Sequence, residues 1–528
     1  MKQHIPAVNH TLFFHPIKPR RGIFPVALLL SLCLVGSTSV SAGEKSPAKQ
    51  ETASQPKTSD VDLKALTDEL IMLAIDDELR RSEAVDGHRI DVDVAQGIVT
   101  LSGHVNNYLA KEIAVGLAER VRGTVSVIDE MVVNVEPSED KVLIRDIQSA
   151  LKADPGTQHL SVKVAAERGE VTLTGEVPTT GEKTLAGEVA MGVKGLTELE
   201  NQLKVNHKKQ LSDDDMQHEI SELIKYAVLL DDSELEVQVK DRTAIITGRV
   251  ARAFHKSHAD MLAYLGGAKE VDSRGVLVHW KHTNPMLRTK RYEQATDADI
   301  KQAVERTFKY DPRLLSYDPK VTVKGGVVTL TGDVGNQAAQ RAADKDARHT
   351  IGVRRVKNNL SVRWEDKPPT DQQIADFTRA ALARDPYLER HNLIVECRNA
   401  HVSLYGLVDT QFEKYHADWI ASRQKGVVHI NDYLAVRKKW KPKSDAAIEA
   451  DLKEKLAYDF IGPDNQVSAT VENGVAILRG TVDSWLMWQR ALDLAIAAGA
   501  REPHNLIEVR YGLPSGPHYY GPHMYVPR

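Results

Sequence analysis

One nine-residue segment constrains this chain more than any other feature. Gly97-Ile98-Val99-Thr100-Leu101-Ser102-Gly103-His104-Val105 comes back as Gly169-Glu170-Val171-Thr172-Leu173-Thr174-Gly175-Glu176-Val177. It returns around Gly248, Gly332, Gly406 and Gly480, and the spacings between successive strand-ending glycines are 72, 73, 84, 74 and 74 residues. A valine lies two residues beyond each of them: Val105, Val177, Val250, Val334, Val408 and Val482. A second glycine follows after 19 or 20 residues, at Gly123, Gly195, Gly267, Gly352, Gly426 and Gly499. Self-similarity at a fixed period means tandem units with separate small cores. Length alone, at 528 residues, suggests three or four domains; the repeat raises that to six.

Between the two glycines the pattern is helical. All six copies carry alanine eleven residues past the first glycine (Ala114, Ala186, Ala259, Ala343, Ala417, Ala491) and again fifteen past it (Ala118, Ala190, Ala263, Ala347, Ala421, Ala495). Small side chains at i and i+4 share one helix face and let it approach a sheet closely. The strand-ending glycine serves the same close approach, and the second glycine sits where a helix C-cap belongs. In copy one, Leu63, Leu66, Leu70 and Leu73 mark a first amphipathic helix, Ile90, Val92 and Val94 a strand, Val99 and Leu101 the next. Residues 125–135 supply a third strand after the alanine-bearing helix. The order α-β-β-α-β predicts an α/β (α+β) fold of two-layer modules, each a three-stranded mixed sheet covered by two helices, with a right-handed β-α-β crossover. Such cores of Ala, Val, Leu and Gly account for an aromatic content of only 5%.

The G-x-V strand end and the glycine-terminated helix resemble the BON family (bacterial OsmY and nodulation domain), over six tandem units. The expected organisation is a signal at 1–42, a tether at 43–60, units at 61–136, 138–206, 212–282, 294–366, 369–440 and 444–511, and a His/Tyr/Pro tail at 512–528. Copy three has Thr243-Ala244-Ile245-Ile246-Thr247-Gly248 without a leading glycine, and copy five has Ala400 in that place and the more aromatic Tyr405. The resemblance implies a periplasmic or outer-membrane-associated protein that contacts phospholipid or protein surfaces, with roles in envelope stress and osmotic tolerance. It brings no catalytic residues.

The N-terminus reads as an export signal. Lys2, Lys18, Arg20 and Arg21 precede an apolar run at 23–35, and small residues lead to Val40-Ser41-Ala42. That run is short of the roughly 20 apolar residues a bilayer span needs. Cys33 follows Leu32, where a lipoprotein signal needs Gly or Ala, and Arg20-Arg21 lacks the flanks of a twin-arginine signal. Cys397, alone after residue 42, alternates with Leu393 and Val395 and so points inward on a strand. Two cysteines exclude a disulfide scaffold or a Cys-rich zinc module. A net charge of −4 argues against a globally basic nucleic-acid binder.

Motifs for chemistry are missing. No G-x-S-x-G, Walker loop, H-E-x-x-H or C-x-x-C occurs. His218-Glu219 lacks the second histidine of a zincin, and His255 and His258, at i and i+3, have no evident third ligand. His504, His518 and His523 fall among the tyrosines and prolines near the C-terminus. The expectation is a non-enzymatic protein with no metal and no cofactor.

The aromatics are unevenly placed. With the paired alanines facing the sheet, Phe412, Tyr415 and Trp419 fall nearly opposite them, and Trp485 and Trp488 a quarter-turn or more away. Copy one has Leu109, Glu112 and Gly116 at the positions of the copy-five stripe. Trp280, Trp364 and Trp440 close third strands beside Lys281 and Arg288, Arg363 and Lys367, and Arg437, Lys438 and Lys439. Residues 61–136 hold 7 Lys/Arg against 15 Asp/Glu, net −8, whereas 370–443 hold 12 against 9, net +3. Rings beside cations suit an anionic membrane surface; the same rings also suit contacts between consecutive units. Candidate lipid- or partner-binding residues are therefore Phe412, Tyr415, Trp419, Trp485, Trp488, Trp440, Arg437, Lys438 and Lys439. The expected partners are an anionic phospholipid surface or exported client proteins, the latter making the chain a chaperone or scaffold, and not nucleic acid.

Overall fold

The computed structural model describes residues 67–135, 138–206, 211–363, 368–437, 443–459 and 466–511. The export signal, the tether and the tail with His518 and His523 lie outside the described residues. His504 belongs to a strand of unit six, Glu502–Val509.

Unit one sets the pattern. Its first helix, Asp68–Arg81, starts where the Thr67 hydroxyl accepts the Leu70 N–H, and it buries Ile71, Ile75 and Leu79. Strand Ile90–Ala95 runs antiparallel to Ile98–Val105, which runs parallel to Ser126–Val133. The helix between the parallel strands, Tyr108–Arg120, is the crossover. The second strand is thus central, with Val99 and Leu101 wholly buried beneath the two helices. Each of the six units has this antiparallel-then-parallel sheet and its own apolar cluster. In unit two the sheet continues as a separate two-stranded piece, Glu176–Val177 with Lys204–Val205.

The repeated residues have specific duties. All twelve paired alanines are 0% exposed, so any larger side chain there would push the crossover helix off the sheet. The six strand-ending glycines have φ between 98° and 139°, a region L-residues avoid. At Gly103 and Gly248 a Cβ would also stand 2.2 and 1.9 Å from the Arg89 and Glu234 carbonyl oxygens. At Gly332 nothing lies within 3.6 Å, so there the backbone conformation alone requires glycine.

A second device recurs that sequence reading overlooked. The hairpin between strands one and two turns through two residues of positive φ, such as Gln96 (54°) and Gly97 (74°), as a type I′ turn demands. Their N–H groups donate to a carboxylate from the first residue of the first helix. Asp68 takes Gln96 and Gly97 at 2.7 and 2.9 Å, Asp297 takes Gly325 and Gly326, Asp371 takes Asn399 and Ala400, and Asp445 takes Asn473 and Gly474. Asp213 does the same for Asp241 and Arg242, and Asp140 for Gly169. The units that lack the leading glycine hold Arg242 and Ala400 at φ 62° instead.

The units close into two rings of three. In the first ring, Tyr108 of unit one packs into the core of unit two, the Thr180 hydroxyl of unit two donates to the Tyr264 carbonyl of unit three, and the Ala253 N–H of unit three donates to the Thr124 carbonyl of unit one. In the second, the Gln337 N–H of unit four donates to the Val427 carbonyl of unit five, Tyr415 of unit five feels the Asp493 carboxylate of unit six, and the Trp485 indole of unit six donates to the Arg354 carbonyl of unit four. Each link starts from the crossover helix of one unit.

The rings meet through the first helices, as where Arg306 of unit four bonds Glu219 of unit three at 3.1 Å, and through the loops after them, as at Ala84, Asp154 and Asp231-Asp232. The 84-residue spacing is explained by an added helix, Pro285–Gln294, between units three and four. It carries Arg288, which sequence reading grouped with the surface cations beside Trp280; the guanidinium is buried at the junction of the rings instead.

Candidate interaction surfaces

The copy-five stripe turns inward. Phe412 packs on the core of unit one, edge-on to Tyr387 at 4.7 Å and stacked on His416 at 5.4 Å. Its N–H donates to Glu83 of unit one at 3.0 Å, and the Tyr387 hydroxyl donates to the Ala84 carbonyl at 2.8 Å. Trp419 is half-buried, stacked on His416 at 5.9 Å with the Arg423 guanidinium 4.5 Å from its ring centre. Arg423 continues to Asp154 of unit two at 2.7 Å. Tyr415 is half-buried, its hydroxyl pKa raised chiefly by burial.

Unit six is similar. Trp485 is buried, donating 3.0 Å to Arg354 of unit four, with the Arg348 guanidinium 5.6 Å from its ring. Trp488 packs on the core of its own unit, and its carbonyl accepts from Asn505 at 2.8 Å. Trp280 of unit three lies between Lys281 and Arg122 of unit one, 4.9 and 4.0 Å from its ring centre. Trp440, Lys438 and Lys439 lie outside the described residues, as do Trp364 and Lys367. Arg437 is exposed, 3.5 Å from Asp409.

Charges at the ring junction are buried with partners. Arg288 bonds Asp231 at 3.0 Å, Asp232 at 2.7 Å and Asp483 of unit six at 2.8 Å, every side chain being at most 4% exposed. Arg510 adds a 2.9 Å bond to Asp483, and Tyr292 stacks on Tyr511 at 4.3 Å. Desolvation raises the Asp231 carboxyl above the usual carboxylate range despite its arginine. In the first ring, burial raises Glu112 to about 8, Glu119 to about 7 and Asp260 to about 6, and lowers His255 to about 3. Cys397 is half-buried 3.5 Å from Asp371, and burial pushes its thiol up to about 12, which leaves it unreactive.

One group of described residues has ligand spacing: His391, Asp409 and Glu413, with donor atoms within 4.8 Å of one another. A cation already stands there. The Arg390 guanidinium bonds Glu413 and lies 3.3 Å from Asp409, while Glu413 also accepts the Thr410 and Asp409 N–H groups and His391. The cluster is the capping box that starts the unit-five crossover helix. Unit two has a counterpart in His159 and Glu182, 2.8 Å apart.

The open surface lies on the other side of unit five. Outward residues of its sheet include Ile394, Tyr405, Leu407 and Tyr433, exposed by 60, 36, 49 and 59%. Register places Ile394, Tyr405 and Tyr433 side by side across the three strands, and the two tyrosines stack at 5.1 Å. The corresponding cross-strand pair is Ser102 with Glu130 in unit one, Thr331 with Asn359 in unit four, and Arg479 with Leu506 in unit six. Arg398 and Arg437 lie exposed on the same face. The sequence held the signal: Val402 and Leu404 face inward, so Tyr405 faces out. Among the described residues no helix is long and apolar enough to cross a membrane.

The BON domain family model matches residues 67–135, 139–207, 212–275, 296–363, 370–438 and 444–511. Osmotically-inducible protein Y of Escherichia coli (strain K12) is 29% identical over 189 residues, 35% of this chain and 93% of that protein. Two solved structures of CdsD, a structural protein of the Type III secretion system of Chlamydia trachomatis, also match. Its C-terminal domain is 16% identical, over 42% of this chain and 100% of that one, with a TM-score of 0.11. The other is 15% identical, over 39% and 91%, with a TM-score of 0.12.

Proposed function

The chain belongs to the BON domain family, and from that premise we propose that it is an exported, non-enzymatic interaction scaffold of the cell envelope that serves tolerance of osmotic stress. The stress role follows the name of its Escherichia coli relative, and export follows the N-terminal signal pattern. One observation carries the scaffold reading. Phe412 and Trp485 are spent on contacts between units and Trp488 on its own core, while the Ile394–Tyr405–Tyr433 row stands open on a flat sheet face among Arg398, Arg437 and Glu396. Flat aromatic faces with a charged rim suit protein partners. Pull-down from envelope fractions, with proteins and lipids both identified, tests it. The Tyr405→Ser/Tyr433→Ser double variant should lose protein partners while keeping its fold; unchanged capture would refute the role of this face.

A second reading is contact with anionic phospholipid, favoured by Arg398 and Arg437 on the same face and by Lys438 and Lys439 next in sequence. Co-sedimentation with anionic and with zwitterionic vesicles separates the two. Binding that needs anionic lipid and fades with salt supports the lipid reading. Binding to neither vesicle leaves the protein-scaffold reading standing.

A further inference from the structure

We propose that the crossover helix of unit one, Tyr108–Arg120, is a pH-operated latch: its contacts with units two and three loosen as pH rises, while the second ring stays closed. Glu112 and Glu119 are seven residues apart, two helical turns, and so share one side of that helix. They are 3 and 8% exposed. Towards unit two, Glu112 is surrounded by the Tyr108 hydroxyl, Lys111 and Asp129 of its own unit and Glu198 of the next. Its Oε2 has no hydrogen-bond partner among the described residues. Towards unit three, Glu119 accepts the Ser257 hydroxyl at 2.8 Å, with Arg120, Lys256 and Asp260 nearby. Asp260 accepts the Ser273 hydroxyl at 2.9 Å beside Lys256, Tyr264 and Asp272, and its buried Oδ1 lacks a partner among the described residues. Lys111 is taken by Asp129 at 3.1 Å, and among the described residues Glu112, Glu119 and Asp260 form no ion pair.

The second ring fills the same helix positions differently. Nine residues past the strand-ending glycine stand Ser257 in unit three and Arg341 in unit four; twelve past it stand Asp260, Asp344 and Asp418. Arg341 bonds Asp418 across units four and five, and Arg348 bonds Asp344 at 2.6 Å. A carboxylate covered beside a guanidinium stays charged, whereas one covered beside a hydroxyl is favoured as the neutral acid. The closed first ring therefore holds protons that the same groups release in water, where carboxyls titrate near 4. Each proton so held weakens closure about tenfold per pH unit, from the open-form pKa up to the closed-form one. For Glu112 and Glu119 those upper ends are about 8 and about 7. His255, buried beside Arg120, Arg252, His258 and Arg288, acts in the opposite sense, but only below about 6.5, where it charges in the open form.

The test is amide hydrogen exchange on the full chain at about pH 6.5 and about pH 8.5, corrected for intrinsic rate, a window above the titration of His255 in either form. The first-ring helices Tyr108–Arg120 and Ala253–Leu265 should lose about tenfold or more of their protection across it. The second-ring helices Gln337–Arg348 and Gln411–Ser422 should change by less than about twofold. Glu112→Gln/Glu119→Gln should abolish the difference between the rings. Ser257→Arg gives Glu119 the kind of cation that Arg341 gives Asp418 and should shrink the difference with both glutamates kept, so the test holds even where the glutamine variant fails to fold. Protection that falls equally in both rings overturns the proposal, because it reports global unfolding. So does a first ring indifferent to pH, or a response that Ser257→Arg leaves unchanged.

Discussion

Unit five has two aromatic sides, and they meet different fates. On the helix side, Phe412 packs on unit one, Trp419 lies under Arg423, which bridges to unit two, and Tyr415 is half-buried. On the sheet side, Tyr405 and Tyr433 stack on each other and face outward. The rings alone do not distinguish the two sides. Geometry does: crossover helices provide the links within both rings, whereas the outer sheet faces turn away from them. Aromatic residues on the first side therefore contribute to holding the assembly, and those on the second are left open for the proposed partner.

Substitutions can sharpen or break that contrast. The largest effect is expected at the ring junction. Arg288→Met leaves Asp231, Asp232 and Asp483 buried without their shared cation and should cost roughly 3–5 kcal/mol. Denaturant unfolding reads this directly, and a loss below about 1 kcal/mol would deny the junction its role.

Next comes pH. Glu112 is buried, and its folded pKa of about 8 lies above its unfolded value. The native state therefore binds more protons across that window, and stability falls as pH rises from about 5 towards 8 or 9. Glu119 and Asp260 act in the same direction. His255, held near 3, opposes them once pH falls below its unfolded value near 6.5. Glu112→Gln should flatten the alkaline limb by a few kcal/mol; thermal unfolding at pH 6 and pH 9 that shows equal slopes in variant and wild type contradicts the assignment.

Smaller effects follow. Phe412→Ala uncovers the contact with unit one and should cost about 2 kcal/mol, less than a fully buried ring. Ala400→Gly relieves a non-glycine residue at φ 62° and should raise stability by about 0.5–1 kcal/mol; a lower melting temperature would count against the turn assignment. Tyr433→Ser is the counterpart to Phe412→Ala. It should change stability by less than about 1 kcal/mol, the size of a cross-strand pair, while partner capture drops. The reverse pattern, with stability lost at Tyr433 and capture lost at Phe412, would invert the comparison.

Much of the fold was legible from residue types. The six alanine pairs announced a helix pressed on a sheet, and all twelve alanines are buried. The strand-ending glycines predict a close approach of the helix; at Gly103 and Gly248 the close neighbour is instead the Arg89 or Glu234 carbonyl oxygen at the start of strand one, and their positive φ is something spacing cannot reveal. The carboxylate strap on the hairpin went unseen although Asp68, Asp213, Asp297, Asp371 and Asp445 stand in the sequence. Its partners are backbone N–H groups 28 and 29 residues away, which have no side-chain signature. For the candidate site, the rings were found but their surroundings were not: helical periodicity tells which way Phe412 points, not whether another unit is there.

The sequence by itself determined the number of units, their α-β-β-α-β order and the inward face of each element, because period and side-chain size are local properties. Tertiary structure alone decided which surfaces remain open. Closing six units into two rings buries Trp485, docking the rings on each other buries Arg288 and half-buries Phe412, and Tyr405 and Tyr433 are left outside. The physical reason is distance along the chain. Arg288 meets Asp483 across 195 residues and Phe412 meets Glu83 across 329, and no pattern within one repeat encodes which repeat will lie beside it.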